Sequence, residues 1–467
     1  MLTLGIILCY LLGLSLLFVI SRKYTLPELV GYSFLIGMGF ETFFLFLLDV
    51  LNIRYSTSVL IGVNVFAIVA ICISNYKNLL QLKNEFKLPD LSLSKINIPA
   101  LFIFCVMAYL LYAINVKNLF WPATEHDTIG SFDKLGKIMA LEGKLKISLF
   151  QYHLEGAGGV YPPLFHGSMA YVYIFGALTS KITTTLFFLS LITTFYSLLR
   201  NYIDATASMF FTLLLMVTPE LFSHAALSLD NMPATAYAGG AVLATYIWLD
   251  KRDRKYFWLG AILMAFTIWI RSDTIVFTAA ALFVIGIDFL RKKDLKSALI
   301  YSTIAVAPFI IWTLYLKLKI GVGQEGRFDL GIGYNSTRMG LMASYMKAFM
   351  WGGEYGRIDG GQLYGIAFIL FFVMLFVNAA LMFKAGVMKI VNDKLYVLVF
   401  FFVALALYFT VFYLINEVAQ HSPIYSLMES SFKRGLFCFL PIALFYVATN
   451  YASAWVFDKV EKFRTAK

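Results

Sequence analysis

The chain has 467 residues, of which 60% are hydrophobic and only 14% are charged. A water-soluble protein cannot cover its surface with so few polar groups, so this composition excludes a soluble globular fold. The net charge is +11, but no segment carries a dense basic tract, which argues against nucleic-acid binding.

Apolar runs of roughly 17 to 25 residues recur along the whole chain, and such runs match the thickness of a bilayer core. They predict an all-α polytopic membrane protein with about 13 transmembrane helices. The first run has no basic region before it and no cleavage pattern after it, so we expect a retained anchor. The predicted spans are 2–20, 28–48, 57–74, 98–116, 182–199, 205–222, 232–249, 256–270, 274–290, 297–318, 362–383, 395–415 and 435–454.

The positive-inside rule gives an orientation for these spans. The basic connections all fall on the cytoplasmic side only if the apolar run 164–180 does not cross, so we expect a juxtamembrane or re-entrant helix there. The N-terminus is then outside and the C-terminus inside. The predicted segments are an N-terminal four-helix transmembrane segment (1–116), an outer loop with juxtamembrane helices (117–181), central transmembrane helices (182–318), a second outer loop (319–361) and C-terminal transmembrane helices (362–467).

The first outer loop contains an acidic motif, Glu125-His126-Asp127, followed by an amphipathic pattern that predicts a helix from Asp127 to Glu142. Such a helix would lie flat on the bilayer, with a carboxylate and an ammonium group sharing its polar face. On this helix alone, a solvated face capped by Asp127 or Thr124 explains the pattern equally well. The apolar face holds Phe132, Leu135 and Met139, and the polar face holds Asp127, Ser131 and Lys134.

Further polar residues follow at predicted outer ends of spans. Tyr161-Pro162-Pro163-Leu164 is typical of a helix start, because proline at the first turn loses no hydrogen bond. Asp230 precedes a span and suits an N-cap. Arg271 and Asp273 lie at a tight corner, where charge is costly in lipid, so we expect them to face the bundle interior or a cavity. Mutual pairing of the two would also explain them.

Two later groups of cations lie on the predicted outer side. The second outer loop combines Arg338 and other cations with aromatic residues, which suits a phosphate, a sugar or a lipid headgroup. Lys433 and Arg434 directly precede the last span, against the positive-inside bias, so anion binding is their natural function.

Taken in order, these motifs resemble the GT-C superfamily of membrane glycosyltransferases, which includes protein O-mannosyltransferases and aminoarabinose transferases of lipid A. The resemblance comprises the acidic motif, Lys134-x-x-Lys137, Tyr-Pro-Pro-Leu, Leu-Asp-x-x-Pro at 229–233, and the segment from Lys433-Arg434 to Pro441. It differs in one respect, since the family usually has one helix before its catalytic loop and this chain has four.

The resemblance implies an inverting transfer of a sugar from a polyprenyl-phosphate donor to a lipid, glycan or protein acceptor, at the extracytoplasmic face of the plasma (inner) membrane. It places Asp127, beside Glu125, as the catalytic base. Some relatives use a divalent metal, and Glu125, His126, Asp127 and Asp230 are the candidate ligands, although no compact spacing requires a metal. The implied donor-phosphate cations are Lys134, Lys137, Arg271, Arg338, Lys433 and Arg434, and the implied sugar or acceptor pocket contains His126, Tyr161, His166 and Asp230.

Other functions fit parts of the pattern. An O-antigen ligase or polymerase is expected to use Arg and His in a late outer loop, and 319–361 has arginines but no histidine. A transporter or lipid flippase predicts ionisable residues near the bilayer midplane and internal repeats. Glu41 meets the first condition, but no repeat is evident. A structural scaffold leaves the acidic motif unexplained.

Overall fold

The structure, a computed structural model, describes residues 1–76, 97–125, 127–145, 161–321, 328–329, 331–352, 357–358, 361–384, 394–417 and 422–457. His126 and the stretch 146–160 of the first outer loop therefore lie outside the described residues. The described part is almost entirely helical, with one antiparallel pair of two-residue strands, β1 (Arg357–Ile358) and β2 (Gly361–Gln362). The prediction of an all-α polytopic protein is confirmed at this level.

The helices of the first half are α1 (Leu2–Ile20), α2 (Leu26–Val50), α3 (Thr57–Ser74), α4 (Ile98–Phe120), α5 (Asp133–Glu142), α6 (Leu164–Ile174), α7 (Lys181–Leu199), α8 (Ala205–Met216) and α9 (Pro219–His224). Those of the second half are α10 (Asn231–Lys251), α11 (Arg254–Ile268), α12 (Ile275–Lys292), α13 (Leu295–Tyr315), α14 (Ser336–Trp351), α15 (Ala367–Lys384) and α16 (Leu395–Tyr413). A final span, Ile424–Thr449, alternates between α, π and 3-10 geometry.

Ten of the described helices are long and apolar enough to cross a membrane. The other three predicted spans correspond to α8, α10 and α11. Helix α8 has 12 residues and ends before Pro219, which splits the predicted run in two. Helix α11 has 15 residues, about 22 Å at 1.5 Å per residue, which is shorter than the bilayer core.

Helix α10 lies at the centre of the fold. Every residue from Asn231 to Leu249 is buried, and the helix is rich in alanine, glycine and threonine. Because protein surrounds it on all sides, it needs no lipid-facing apolar surface, which explains why it is less apolar than a typical span.

Close helix contacts depend on small residues at the crossings. Helices α1 and α2 approach so closely at Gly13 that a Cβ atom there would lie 1.8 Å from the Ser33 carbonyl oxygen. At Gly37, an added Cβ would lie 2.0 Å from the Cys9 carbonyl oxygen. Glycine thus fixes the packing of the first two helices.

Helix α6 has only 11 residues, so its length of about 16 Å does not cross a bilayer. This agrees with the expectation that 164–180 does not cross. The helix packs against α5 and α2, and its residues from Leu164 to Val172 are buried. The apolar face of α5 is also confirmed, since Leu135 and Met139 are buried.

The connections meet at two ends of the bundle. At one, which we call the loop end, the Asp49 carboxylate accepts hydrogen bonds from the Leu145 amide at 2.9 Å and the Tyr315 hydroxyl at 2.6 Å. The Glu220 amide at this end donates to the Leu363 carbonyl at 2.9 Å. Contacts between predicted outer loops also lie here, since Thr128 bonds to the Ser228 carbonyl and Arg338 pairs with Glu417.

The opposite end, which we call the basic end, gathers the described connections rich in lysine and arginine near positions 23, 201, 252 and 291. Lys255 lies 2.8 Å from the Glu28 carboxylate, and the Lys251 ammonium donates to the Asn201 carbonyl at 2.6 Å. The long helices thus run between a basic end and a loop end, whereas α5, α6, α9 and α14 lie at the loop end. The candidate residues of the sequence analysis also lie at the loop end.

Candidate functional site

An ion pair joins the first outer loop to the final span. Arg434 Nη1 donates to Asp127 Oδ2 at 2.6 Å, although the two residues are 307 positions apart in sequence. The Asp127 side chain is 44% exposed and that of Arg434 is 20% exposed, so the pair is open to solvent on the carboxylate side. The structure therefore brings together two residues that the sequence analysis assigned to opposite roles, a base and a phosphate-binding cation.

Both partners of this pair border π-helical turns. Asp127 directly precedes the π-helix Thr128–Phe132, which the Thr128 hydroxyl anchors to the Ser228 carbonyl at 3.1 Å. Arg434 follows the π-helix Met428–Phe432 of the final span. Because π-turns interrupt regular hydrogen bonding and occur frequently at functional sites, both segments depend on tertiary contacts to keep their shape.

Two tyrosines satisfy carbonyl groups of the irregular final span. Tyr408 lies 3.2 Å from the Ser431 carbonyl and 3.3 Å from that of Phe432, and Tyr364 donates to the Lys433 carbonyl. A Cβ atom at Gly435 would lie 1.8 Å from the Tyr408 hydroxyl oxygen. Only glycine lets Tyr408 approach here, so Gly435 helps to position the neighbouring Arg434.

Arg271 forms a second, buried charge cluster with three side chains. It binds Asp273 through two parallel hydrogen bonds, Nε to Oδ1 at 2.9 Å and Nη2 to Oδ2 at 2.6 Å. Its Nη1 reaches Asn231 Oδ1 at 2.7 Å and Asp230 Oδ1 at 3.3 Å. Mutual pairing of Arg271 and Asp273 is thus confirmed, and the pair also fixes the start of α10.

Asp230 links the two clusters electrostatically. It is fully buried, and its Oδ2 has no hydrogen-bond partner among the described residues. Burial raises the pKa of its carboxyl group, while the Arg271 and Arg434 guanidinium groups act in the opposite direction and Asp127 reinforces the rise. Asp230 precedes α10 as expected for an N-cap residue, but its side chain makes no capping hydrogen bond.

Tyr161 lies beside the second cluster. The Arg271 guanidinium carbon is 5.9 Å from the centre of the Tyr161 ring, within the range of a cation–π contact. The predicted helix start at this motif is also observed, with Pro163 as the N-cap residue of α6. Tyr161 therefore belongs to the candidate site.

Lys433 has a carboxylate partner that the sequence analysis did not identify. Its ammonium lies 3.0 Å from Glu220 Oε1, and His224 Nε2 lies 3.7 Å from the same oxygen. Burial opposes ionisation of Glu220, but His224 and Lys433 outweigh it and lower the pKa of the carboxyl group. Glu220 was overlooked because it fell within a predicted span, yet the adjacent Pro219 was a signal that the span ends there.

Several candidate residues lie apart from these clusters. Arg338 binds Glu417 at 2.7 Å and the Ile415 carbonyl at 2.8 Å, and so ties the second outer loop to the end of α16. Lys137 lies 5.5 Å from the centre of the Tyr173 ring, and Lys134 is exposed to solvent. Arg338 and Lys137 thus contact residues other than those of the two charge clusters.

The two remaining candidates have local environments of their own. Glu125 accepts a hydrogen bond from the Thr124 hydroxyl at 2.8 Å. His166 is buried against the Phe132 ring, and its Nε2 has no hydrogen-bond partner within the described part of the chain. Burial lowers the pKa of His166 to about 4, so the ring is neutral at physiological pH.

A divalent metal was a possible cofactor. Across the described residues, which omit His126, no three His, Cys, Asp or Glu side chains group closely enough to hold a metal ion. The described side chains of the site form ion pairs. The site can orient a carboxylate beside guanidinium and ammonium groups, an arrangement suited to proton abstraction next to an anionic group.

Comparison with known proteins adds no assignment. The chain matches no protein-family model, no curated protein and no solved structure.

Proposed function

We propose that the protein is an inverting membrane glycosyltransferase that moves a sugar from a polyprenyl-phosphate donor to an acceptor hydroxyl or amide. The observation that supports this most is the contact of Asp127 with Arg434 at 2.6 Å, beside Lys433 and the Asp230–Arg271 cluster. Such a transfer needs a base and a phosphate-binding cation close together at one end of a helix bundle. This pair supplies both.

Each charged group then has a distinct task. Asp127 takes the proton from the hydroxyl or amide of the acceptor molecule while that group attacks C1 of the sugar. The C1–O bond to the lipid phosphate breaks in the same step. Arg434 and Lys433 stabilise the charge that develops on the departing phosphate. Arg271 holds Asp230 and the start of α10 in place at the side of the sugar pocket. Arg434 holds Asp127 Oδ2 in the structure, so a donor phosphate that binds Arg434 competes with this carboxylate.

The proposed topology has thirteen crossings, with α8, α10 and α11 crossing as shielded inner helices. The loop end faces the extracytoplasmic side of the plasma membrane and the basic end faces the cytoplasm. The alternation of helices between the two ends supports this count, as does the positive-inside bias of the basic end. A lipid-linked donor suits such a site, because its tail stays in the bilayer while its headgroup reaches the loop end.

Replacement of Asp127 tests the proposal. In lipid nanodiscs, we expect Asp127→Asn to lower the release of polyprenyl phosphate from sugar-loaded donors by at least about a hundredfold, the usual contribution of a general base. Asp329→Asn is the matched control, since Asp329 is an exposed carboxylate at the same end whose Oδ1 accepts from the Gly331 amide. Undiminished transfer by Asp127→Asn would remove the base assignment.

A lipid-linked sugar flippase is the second candidate, and one observation favours it. Glu41 lies within the span α2, is completely buried, and accepts a hydrogen bond from Asn64 of α3 at 3.0 Å. Buried ionisable groups in spans are frequent in transporters. Loss of lipid translocation in Glu41→Gln, with no transfer chemistry in any variant, would favour this second candidate.

A further inference from the structure

Glu220 gives Lys433 an internal counter-ion that cannot easily move away. The Glu220 side chain is 6% exposed, and that of Lys433 is 20% exposed. The backbone of Glu220 is also fixed, because its amide donates to the Leu363 carbonyl at 2.9 Å and Pro219 sets the first turn of α9. The carboxylate therefore stays beside the ammonium when a ligand binds.

Distance limits make this carboxylate a neighbour of any anion bound to Lys433. A phosphate oxygen contacts an ammonium group at about 2.8 Å. Since Glu220 Oε1 is 3.0 Å from the same ammonium, that oxygen lies at most about 6 Å from the carboxylate. Two negative charges so close, in a partly buried site, repel each other strongly.

The repulsion depends on the charge of the ligand. A phosphate diester carries one negative charge, whereas a monoester carries nearly two above its second pKa of about 6. A fixed carboxylate therefore repels a monoester about twice as strongly, in free energy, as a diester at the same position.

We propose that Glu220 is a specificity-determining residue that weakens the binding of lipid phosphate monoesters more than that of lipid phosphate diesters. This inference rests on the proposed function, in which the donor is a diester and the released carrier is a monoester. The two cations of the final span would otherwise hold the more highly charged product more tightly than the donor. Glu220 offsets this preference and lets the carrier leave.

Binding of two short-chain lipids at pH 8 tests the role of Glu220. The probes are farnesyl phosphate, a monoester, and its methyl ester, a diester, titrated into detergent-solubilised protein. Glu220→Gln keeps the size and the acceptor oxygen of the side chain but removes its charge. We expect this variant to bind the monoester about tenfold and the diester about threefold more tightly than the original protein, since the free-energy gain doubles with charge.

The controls separate the charge of Glu220 from other effects. Glu417→Gln removes a carboxylate that pairs with Arg338 away from Lys433, and we expect both affinities to stay unchanged. In a Lys433→Met background, Glu220 keeps His224 as its neighbour, but no ammonium group holds a phosphate beside the carboxylate. Glu220→Gln should then change the affinities for the monoester and the diester far less than it does in the original protein.

Unchanged or weaker binding of farnesyl phosphate by Glu220→Gln, or an equal gain for both lipids, would overturn the role of Glu220 and leave the proposed function standing. Failure of the original protein to bind either lipid would contradict the proposed function and this inference together.

Discussion

Asp127 and Arg434 form an ion pair in the structure, although the proposed reaction gives each of them a separate role. Arg434 also donates through Nε to the Ser430 carbonyl at 3.1 Å, so a residue of the same span orients its guanidinium group. In the proposed reaction, an incoming phosphate competes with Asp127 for the Arg434 guanidinium group. The proposal therefore couples donor binding to activation of the base through this one group.

Replacement of Arg434 by lysine tests the importance of the planar guanidinium group. Lysine keeps the charge but offers no planar pair of donors and no Nε contact to Ser430. We expect the KM for the lipid-linked donor to rise about tenfold, the cost of roughly one charge-assisted hydrogen bond. Arg338→Lys provides the comparison, because Arg338 is held by Glu417 in the second outer loop. Equal effects of the two replacements would contradict a special role for Arg434.

His166 makes the stability of the protein depend on acidity. Burial lowers its pKa from 6.5 to about 4, so the folded state favours the neutral ring. The contribution of the neutral ring to the free energy of unfolding is fully present above pH 6.5 and is lost as pH falls through 4. The complete loss is on the order of 3 kcal/mol. Thermal unfolding measured between pH 7 and pH 4 should therefore show that acid lowers the stability of His166→Phe less than that of the original chain. Identical acid profiles would show that His166 does not contribute.

Ion pairs could be predicted from the sequence where the two partners are close in sequence. Arg271 and Asp273 are two positions apart, and the cost of charge in lipid predicts that they pair. No local rule links positions 127 and 434, so the sequence predicts a role for each residue without showing that they touch. The pairing of Lys433 with Glu220 was hidden for the same reason.

At the scale of elements, the final span departs from regular α-helical geometry on both sides of Lys433 and Arg434. Its π and 3-10 turns leave carbonyl groups that Tyr408 and Tyr364 satisfy. The sequence predicts a straight apolar span there because hydropathy carries no information about backbone geometry. Gly435 is the one local sign of the irregularity, and its meaning depends on Tyr408, which is distant in sequence.

Gly435→Ala tests this geometry. An added Cβ would overlap the Tyr408 ring and hydroxyl, so we expect a loss of about 1 to 3 kcal/mol of stability together with reduced transfer. Gly340→Ala is the matched control, because Gly340 lies in helix α14 with open space around its Cβ position. Alanine there should be neutral or stabilising by up to about 1 kcal/mol in thermal unfolding. Equal stability of the two variants would show that the contact at Gly435 is not restrictive.

At the scale of the whole molecule, composition and run length were sufficient for the fold class. Ten of the thirteen predicted spans are long and apolar enough to cross a membrane, whereas α8 and α11 are short and α10 is shielded by protein. All three were nevertheless placed correctly as helices by their apolar runs. The GT-C resemblance concerns a spatial arrangement that no match to a known protein tests, so it stays a proposal.

Accessibility labelling tests the topology in intact cells. In a chain without its native cysteines, single cysteines at Thr124 and Tyr334 should react with a membrane-impermeant reagent, since both residues are exposed at the loop end. A cysteine at Lys293, at the basic end, should react only after the cells are opened. Labelling of Thr124 and Tyr334 from opposite sides would refute the shared face.

The contact between positions 127 and 434 also has a consequence for biosynthesis. Arg434 follows Asp127 by 307 positions, so Asp127 lacks its guanidinium partner until synthesis has reached the final span. A product that stops before codon 434 contains the acidic motif but lacks the cation beside it. The ion pair therefore forms only in chains that extend past position 434.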